Sequence, residues 1–358
     1  MSVESIKLLC DLSNLPGCPS GEHAVHNYLK ERYAKIADEV LYDNLGGIFA
    51  VKYSEDKNAP KLMLAGHLDE VGFMVIRIRE NGMLEIRKLG GVWESAILCQ
   101  RVYVHTKKEK IVGMISPINS QPLPGKPVTI NEVVVDIGAS NKNEVESWGI
   151  YPGQLVTFAT EAETMKNERM IIGKAWDDRV GCAMALETMS GLKEDKLACH
   201  LYTGGTVQEE GGRRGALIAA NLVKPDLFLA LEGPLAHDIS GKKDAFGRIG
   251  QGVLFRVIDR ELKLSQELRD YFLDIAKTYN IPYQFYVSAG RTDAGLIQTT
   301  GLGVNSAVIA IPARCRHSAQ SIIHLDDYQA AVEFLKQFAK SFNRTVYQSL
   351  LMCKNNNV

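Results

Sequence analysis

The chain has 358 residues, in which 41 lysines and arginines nearly balance 42 aspartates and glutamates and leave a formal net charge of -1. At about 150 residues per domain, this length predicts two or three domains and a large buried core. Because the charges are so nearly balanced, there is no electrostatic reason to expect nucleic acid or an anionic membrane as a partner. The balance favours a small neutral or zwitterionic substrate.

The N-terminus and the cysteines indicate the compartment. The segment MSVESIKLLCDL has no basic region followed by an apolar run, and no run of about 18 apolar residues occurs anywhere. The seven cysteines are odd in number and form no C-x-x-C pair, which argues against a disulfide framework and against a thiolate zinc site. We therefore expect a cytoplasmic protein without a membrane partner.

The N-terminal part of the chain has a helical pattern. Val25, Tyr28, Leu29 and Ile36 recur at helical spacing, and Ser20 is a suitable N-cap for this helix. The apolar runs GGIFAVK, KLMLAGH and VGFMVIRIR come next, and their branched residues and flanking turn residues are typical of strands.

A different pattern occupies residues 73–163. Short alternating runs are separated by turns, and no apolar period of helix length occurs. This pattern predicts a small β-barrel inserted into a larger domain, which residues 1–72 and 164–358 form together.

After the inserted module, strands alternate with helices. MIIGKA precedes the helical segment DRVGCAMALETMSGL, and ACHLYTGGTV precedes GGRRGALIAANL. Such alternation predicts an α/β fold with a mixed or parallel sheet and helices on both faces.

Ligands of open α/β sheets bind beyond the carboxyl ends of the strands, so the residues that follow each apolar run are candidates for a site. Every such position carries a carboxylate or an imidazole. These residues are His67 and Asp69, Asp177 and Asp178, Glu209 and Glu210, Glu232, and His317. One acidic residue at a strand end is often only a helix N-cap, and for Asp178 capping explains the residue as well as a role in the site does. Five such endings in register are harder to explain by capping alone.

The residue types point to a metal centre. Imidazole and carboxylate ligands without a thiol suit zinc, cobalt or manganese, and converging carboxylates repel one another unless a cation neutralises them. Glu232 ends an apolar run, where a buried carboxylate without a cation is costly. Adjacent acids at Glu209 and Glu210 can divide ligation and proton transfer between them, and Asp69 could accept the second N–H of His67.

With these residues assembled, the chain resembles the tetrahedral (TET) family of dinuclear aminopeptidases, which includes glutamyl aminopeptidases and proteins formerly named endoglucanases. The order and spacing of the motifs that carry the resemblance extend over nearly the whole chain. They are GHLDEVGFMV at 66–75, KAWDDRVGC at 174–182, TVQEEGGRRGA at 206–216, FLALEGP at 228–234, GRTDAG at 290–295 and RHS at 316–318.

The resemblance implies two divalent metal ions, zinc or cobalt before manganese, held by five ligands. His67 and Glu232 would hold one metal, Glu210 and His317 the other, and Asp177 would bridge them. Two further catalytic residues are implied: Asp69 would orient His67, and Glu209 would take a proton from the attacking water and deliver it to the leaving amine.

The resemblance also implies an architecture and a substrate. It predicts a zinc-peptidase-like catalytic domain, a PDZ-like inserted barrel that serves dimerisation, and dimers that build a tetrahedral dodecamer. The substrates would be short peptides, cut one residue at a time from the N-terminus.

The sequence departs from the family pattern at three positions. Glu232 stands where the family usually has Asp, Arg213 lies in GGRRG after the acidic pair, and Arg291 lies in GRTDAG. We expect Arg291, Thr292 and Asp293 to contact the substrate, although solvated surface positions would explain both arginines as well.

Three other functions fit parts of the pattern. The same site would suit a metal-dependent deacylase of N-acyl amino acids, or the chain could be an inactive assembly protein. Glycoside hydrolysis also uses paired carboxylates, but that mechanism needs no histidines.

Overall fold

A computed structural model describes residues 2–119 and 127–351. In these ranges the helices are α1 (Val3–Asn14), α2 (His23–Tyr33), α3 (Lys142–Ser147), α4 (Trp176–Leu192), α5 (Arg214–Val223), α6 (Gln266–Thr278), α7 (Asp293–Ile297), α8 (Leu325–Ser341) and α9 (Arg344–Leu350). The strands are β1 (Glu39–Tyr42), β2 (Ile48–Lys52), β3 (Lys61–His67), β4 (Gly72–Ile78), β5 (Leu84–Leu89), β6 (Arg101–His105), β7 (Lys110–Pro117), β8 (Val133–Asp136), β9 (Leu155–Phe158), β10 (Glu163–Thr164), β11 (Met170–Gly173), β12 (His200–Thr206), β13 (Leu227–Glu232), β14 (Val253–Ile258), β15 (Tyr283–Val287), β16 (Asn305–Ala310) and β17 (Ser321–His324). None of the helices in the described part is long and apolar enough to cross a membrane.

The main sheet has eight strands in the order β1-β2-β12-β3-β13-β16-β14-β15. Its four central strands, β12, β3, β13 and β16, run parallel to one another. These strands are buried nearly throughout, because helices cover both sides, and their sequences are accordingly almost unbroken apolar runs.

Helices pack against both faces of this sheet, as predicted. Successive side chains of a strand point to opposite faces, and β3 divides its apolar residues in this way. Leu62 and Leu64 join a core that contains residues of α4 and α8, whereas Met63 and Ala65 join a second core with residues of α5 and α7. The predicted α/β fold is therefore confirmed.

The inserted module is a closed antiparallel barrel in the order β4-β5-β8-β7-β6-β9. It has a core of its own, which includes Phe73, Val102, Val135 and Val156. The predicted β-barrel is thus confirmed, with its strands lying between Gly72 and Phe158, while the domain limits at 73 and 163 stay a prediction.

A small sheet, β10-β11-β17, lies outside the main one. Asp177 follows β11 of this small sheet rather than a strand of the main sheet. The sequence alone treats both kinds of apolar run alike, because four-residue strands such as β11 carry no mark of the sheet they will join.

The prediction that Ser20 caps α2 is wrong. The helix begins at His23, and Ser20 has a left-handed backbone with φ 72°. Instead, the side chain of Glu22 accepts hydrogen bonds from the N–H groups of Ser20 (3.1 Å) and Gln208 (3.0 Å). The chain is thereby joined to the loop that carries the acidic pair.

Candidate metal centre

The carboxyl ends of the central strands meet at one edge of the sheet. His67 is the last residue of β3 and is paired in register with Thr206, the last residue of β12. Glu232 ends β13, which is parallel to β3. Parallel pairing therefore brings His67, Glu232 and the acidic pair that follows β12 to the same place.

Asp177 lies at the centre of the side chains gathered there. Its Oδ1 is 3.2 Å from Nε2 of His67, and its Oδ2 is 3.0 Å from Nε2 of His317. Two groups of possible ligands share it: His67, Asp177 and Glu232, and Asp177, Glu210 and His317. Within each group the ligand atoms lie within 4.8 Å of one another.

A third group of the same kind contains His67, Glu209 and Glu210. The structure thus brings all five predicted ligands together with the predicted base. That these side chains ligate metal stays a prediction.

His317 reaches the cluster from a loop, since β16 already ends at Ala310. Its backbone has φ 63°, a left-handed conformation that residues with a Cβ seldom adopt. Its Nε2 lies 2.6 Å from Oε1 of Glu210. Gln208 (φ 56°) and Ala175 (φ 56°), which precede the acidic pair and Asp177, have the same strained conformation, as is common where function fixes the backbone.

Asp69 lies beside His67, as expected, and makes further contacts that were not predicted. Nδ1 of His67 lies 3.1 Å from the backbone carbonyl oxygen of Asp69 and 3.4 Å from its carboxylate. The carboxylate mainly accepts the backbone N–H groups of Glu209 and Glu210, each at 2.9 Å. Asp69 therefore fixes the acidic pair as well as His67.

Asp178 has the structural role that the sequence left open. Its Oδ1 accepts the N–H of Gly181 near the start of α4, and its Oδ2 accepts the N–H of His67, both at 2.9 Å. One carboxylate thus ties the beginning of a helix to the end of β3.

Burial and neighbouring carboxylates raise the pKa values of two carboxyl groups of the site, whereas neighbouring cations lower the pKa of a third. Burial raises the pKa of Glu232 to about 8, with Asp177 adding to the effect. Burial also raises the pKa of Glu209 well above its usual range, as do the Glu210 and Asp293 carboxylates. Burial acts the same way on Asp177, but Arg316, His317 and His67 outweigh it and hold that pKa well below its usual range.

This donor set fits divalent cations. Oxygen and imidazole nitrogen ligands suit zinc, cobalt and manganese, and a cation would offset both the burial and the Asp177 charge that raise the pKa of Glu232. Glu232 is only 5% exposed, so water cannot replace the cation in this role.

Removing divalent metal should destabilise the folded chain, because Asp177, Glu210 and Glu232 would repel one another with only Arg316 and the two histidines to offset their charge. A cation at a hundred times its Kd adds about 2.7 kcal/mol of stability. We expect dialysis against a chelator to lower Tm, and added zinc or cobalt to restore it. The control is Asp177→Asn, whose Tm should depend little on metal, and an unchanged Tm of the dialysed native chain would contradict the expectation.

Sequence reasoning gave no role to Arg316, which precedes His317. Its guanidinium donates to the carboxylate of Asp177. Burial lowers the pKa of Arg316, but Asp177, Glu210 and Glu232 outweigh it and raise that pKa above its usual value. The RHS motif could have indicated this role, because it places a positively charged arginine directly before a candidate ligand.

The two unusual arginines share one acidic partner, Glu261, which sequence reasoning did not find. Arg213 donates to its Oε1 from Nη2 at 3.1 Å, and Nε of Arg291 lies 3.2 Å from the same atom. Arg213 also donates to the carbonyl oxygen of Thr292 at 3.3 Å. Neither arginine is therefore an isolated solvated side chain.

Asp293 is buried beside this pair of arginines. Its Oδ2 accepts a hydrogen bond of 2.5 Å from the Thr206 hydroxyl, and its Oδ1 has no hydrogen-bond partner in the described part of the chain. Burial raises its pKa to about 6. Contact of residues 291–293 with substrate stays a prediction.

An α/β sheet with imidazole and carboxylate groups gathered at one edge is the architecture of a metal-dependent hydrolase. The model of the M42 glutamyl aminopeptidase family matches residues 46–334. The chain belongs to this metallopeptidase family.

Relatives of the chain support the same assignment. A glutamyl aminopeptidase of Lactococcus lactis subsp. cremoris is 35% identical over 347 residues, 95% of this chain and 96% of that protein. The TET aminopeptidase of a marine sediment Thaumarchaeota archaeon is 33% identical, with a TM-score of 0.92 over 96% of this chain and 98% of that chain. The PhTET1-12s dodecamer is 25% identical, with a TM-score of 0.84 over 96% and 100% of the two chains. The predicted family and the predicted metal-dependent aminopeptidase activity are confirmed.

Proposed function

We propose that the chain is a dinuclear aminopeptidase that removes N-terminal residues from short peptides. The observation that carries this proposal is the position of Asp177, whose two carboxylate oxygens each face a different imidazole. One metal would be held by His67 and Glu232, the other by Glu210 and His317, and Asp177 would belong to both. Zinc and cobalt suit these nitrogen and oxygen ligands.

Glu209 is the proposed general base. Bound cations would polarise the scissile carbonyl and favour ionisation of the attacking water. Glu209 accepts the proton of that water and later gives it to the leaving amine. Its position is fixed by the bond from its N–H to Asp69, and its raised pKa makes the carboxylate a stronger proton acceptor.

One assay distinguishes this proposal from the alternatives. Hydrolysis of amino-acid p-nitroanilides should require zinc, cobalt or manganese, with two metal ions per chain measured on the same sample. A preference for blocked over free α-amines would favour the deacylase instead. Absence of hydrolysis with every metal would favour the inactive assembly protein.

We propose further that cations near the site favour acidic groups of the substrate. Arg213 and Arg291 share the carboxylate of Glu261, which neutralises only one of the two guanidinium charges, while the buried Asp293 beside them has its pKa raised to about 6. Arginine pairs well with carboxylates. The Lactococcus relative, which carries the name glutamyl aminopeptidase, is consistent with this preference.

Replacing Glu261 by Gln should increase the preference for acidic substrates, because it removes the carboxylate that both arginines share. We expect the ratio of kcat/KM for glutamyl to leucyl p-nitroanilide to rise, and Arg291→Gln to lower it. Asp270→Asn, which affects the exposed pair with Arg269 on α6, serves as the control. A ratio that stays constant in both variants would rule out a role of this cluster in selectivity.

The remaining proposals concern assembly and location. The PhTET1-12s structure is a dodecamer, and on this basis we propose dimers that build a tetrahedral dodecamer, with the barrel of 73–163 as the dimerisation domain and 1–72 with 164–358 as the catalytic one. A molar mass by light scattering tests the first point. A cytoplasmic location is likewise a proposal.

A further inference from the structure

A turn of the inserted barrel touches the candidate metal centre. It consists of Gly90–Trp93 and directly follows β5. A Cβ on Gly90 would lie 2.9 Å from Oε2 of Glu210, and a Cβ on Gly91 would lie 3.0 Å from Nδ1 of His317. Both distances are closer than ordinary van der Waals contact, so the two glycines allow the turn to pack against two proposed ligands.

Two hydrogen bonds join the same turn to His317. Its Nδ1–H donates to the carbonyl oxygen of Gly91, and the N–H of Trp93 donates to the carbonyl oxygen of His317, each at 3.2 Å. The first bond places the ring proton on Nδ1 and leaves Nε2, which faces Asp177 and Glu210, free to bind metal. The second bond holds the strained left-handed backbone of His317.

We infer that the barrel turn Gly90–Trp93 is a positioning element of the catalytic centre, which orients His317 and confines Glu210. The inserted barrel then supplies part of the active site. The two side chains that the turn contacts are the proposed ligands of one metal. A disturbed turn should therefore lower the affinity for that metal more than the affinity for the metal proposed for His67 and Glu232. This inference rests on the proposed dinuclear function.

The first experiment adds a methyl group at the turn. Gly91→Ala places it against the imidazole, and Gly90→Ala places it against Glu210 and the side chain of Val71. Because Gly90 has φ 81°, its control must carry equal backbone strain: Gly138 (φ 78°) and Gly149 (φ 80°) have no atom within 4 Å of an added Cβ. We expect both turn variants to bind the metal proposed for Glu210 and His317 about 10- to 100-fold less tightly, as for other groups that orient metal ligands.

The second experiment removes one hydrogen bond. Trp93 has φ -73°, which proline also adopts, so Trp93→Pro deletes the N–H that donates to His317. Trp93→Ala loses the same side chain but keeps the N–H. We expect Trp93→Pro to lose metal affinity relative to Trp93→Ala.

Metal content and competition with a chromogenic chelator are the readouts, together with the absorption spectrum of the cobalt-loaded chain. Selective loss of one metal in the turn variants, with full occupancy in Gly138→Ala and Gly149→Ala, supports the inference. Equal affinity in turn and control variants would overturn it. If the native chain itself binds fewer than two metals, the proposed dinuclear function fails instead.

Discussion

Glu209→Gln should abolish most peptide hydrolysis while metal remains bound. General acid–base catalysis contributes typically 10²- to 10⁴-fold, so we expect kcat to fall by about that factor with little change in KM. The amide keeps the size of the side chain and the backbone N–H bond to Asp69, but it cannot accept a proton at working pH.

The measurement is a steady-state assay with a leucyl or glutamyl p-nitroanilide, with metal content determined on the same preparation. Glu80→Gln, which changes an acid whose side chain is 91% exposed, is the control for loss of charge alone. Activity of Glu209→Gln close to that of the native chain would remove Glu209 from the mechanism. Loss of metal in this variant would show that Glu209 serves as a ligand.

Lys174→Met should strongly destabilise the folded chain. Lys174 donates to both carboxylate oxygens of Glu70 at 2.7 Å, and both side chains are almost completely buried. Removing one partner of a buried ion pair typically costs about 3–5 kcal/mol, because the other charge remains without compensation. Arg179, which lies 3.6 Å from Glu70, places the expected loss near the lower end.

Urea unfolding of the metal-loaded chain measures this loss. The exposed pair Lys196 and Glu55 has the same 2.7 Å separation, and Lys196→Met should have little effect. Glu70→Gln leaves both Lys174 and Arg179 buried without their shared anion and should lose more stability than Lys174→Met, in which Glu70 keeps Arg179 as a partner. If Glu70→Gln is the more stable of the two, stranded charge is not the cause.

The central strands and the barrel could be predicted because their signals are local. Buried parallel strands are continuous apolar runs, and the rule that sites lie beyond their carboxyl ends selected His67, Glu210 and Glu232. The barrel was indicated by alternation alone. Asp177 and His317 came from the same search, although neither directly follows a strand of the main sheet.

The contacts that could not be predicted join distant parts of the chain. Lys174 meets Glu70 across 104 positions, and His317 meets Gly91 across 226. No local pattern marks such partners. Ser20 illustrates the opposite error, since its local fitness as an N-cap was overridden by Glu22, whose side chain bonds to Gln208 far along the chain.

Asp69 determines what must be copied to move such a site to another protein. Its carboxylate accepts two neighbouring backbone N–H groups, so the geometry of the Glu209–Glu210 turn depends on a side chain outside the proposed ligand set. A designer who copied only the five proposed ligands onto another parallel sheet would leave both N–H groups without an acceptor and the turn free to adopt other shapes. The smallest portable unit is the end of β3 with its aspartate and the turn after β12, taken together.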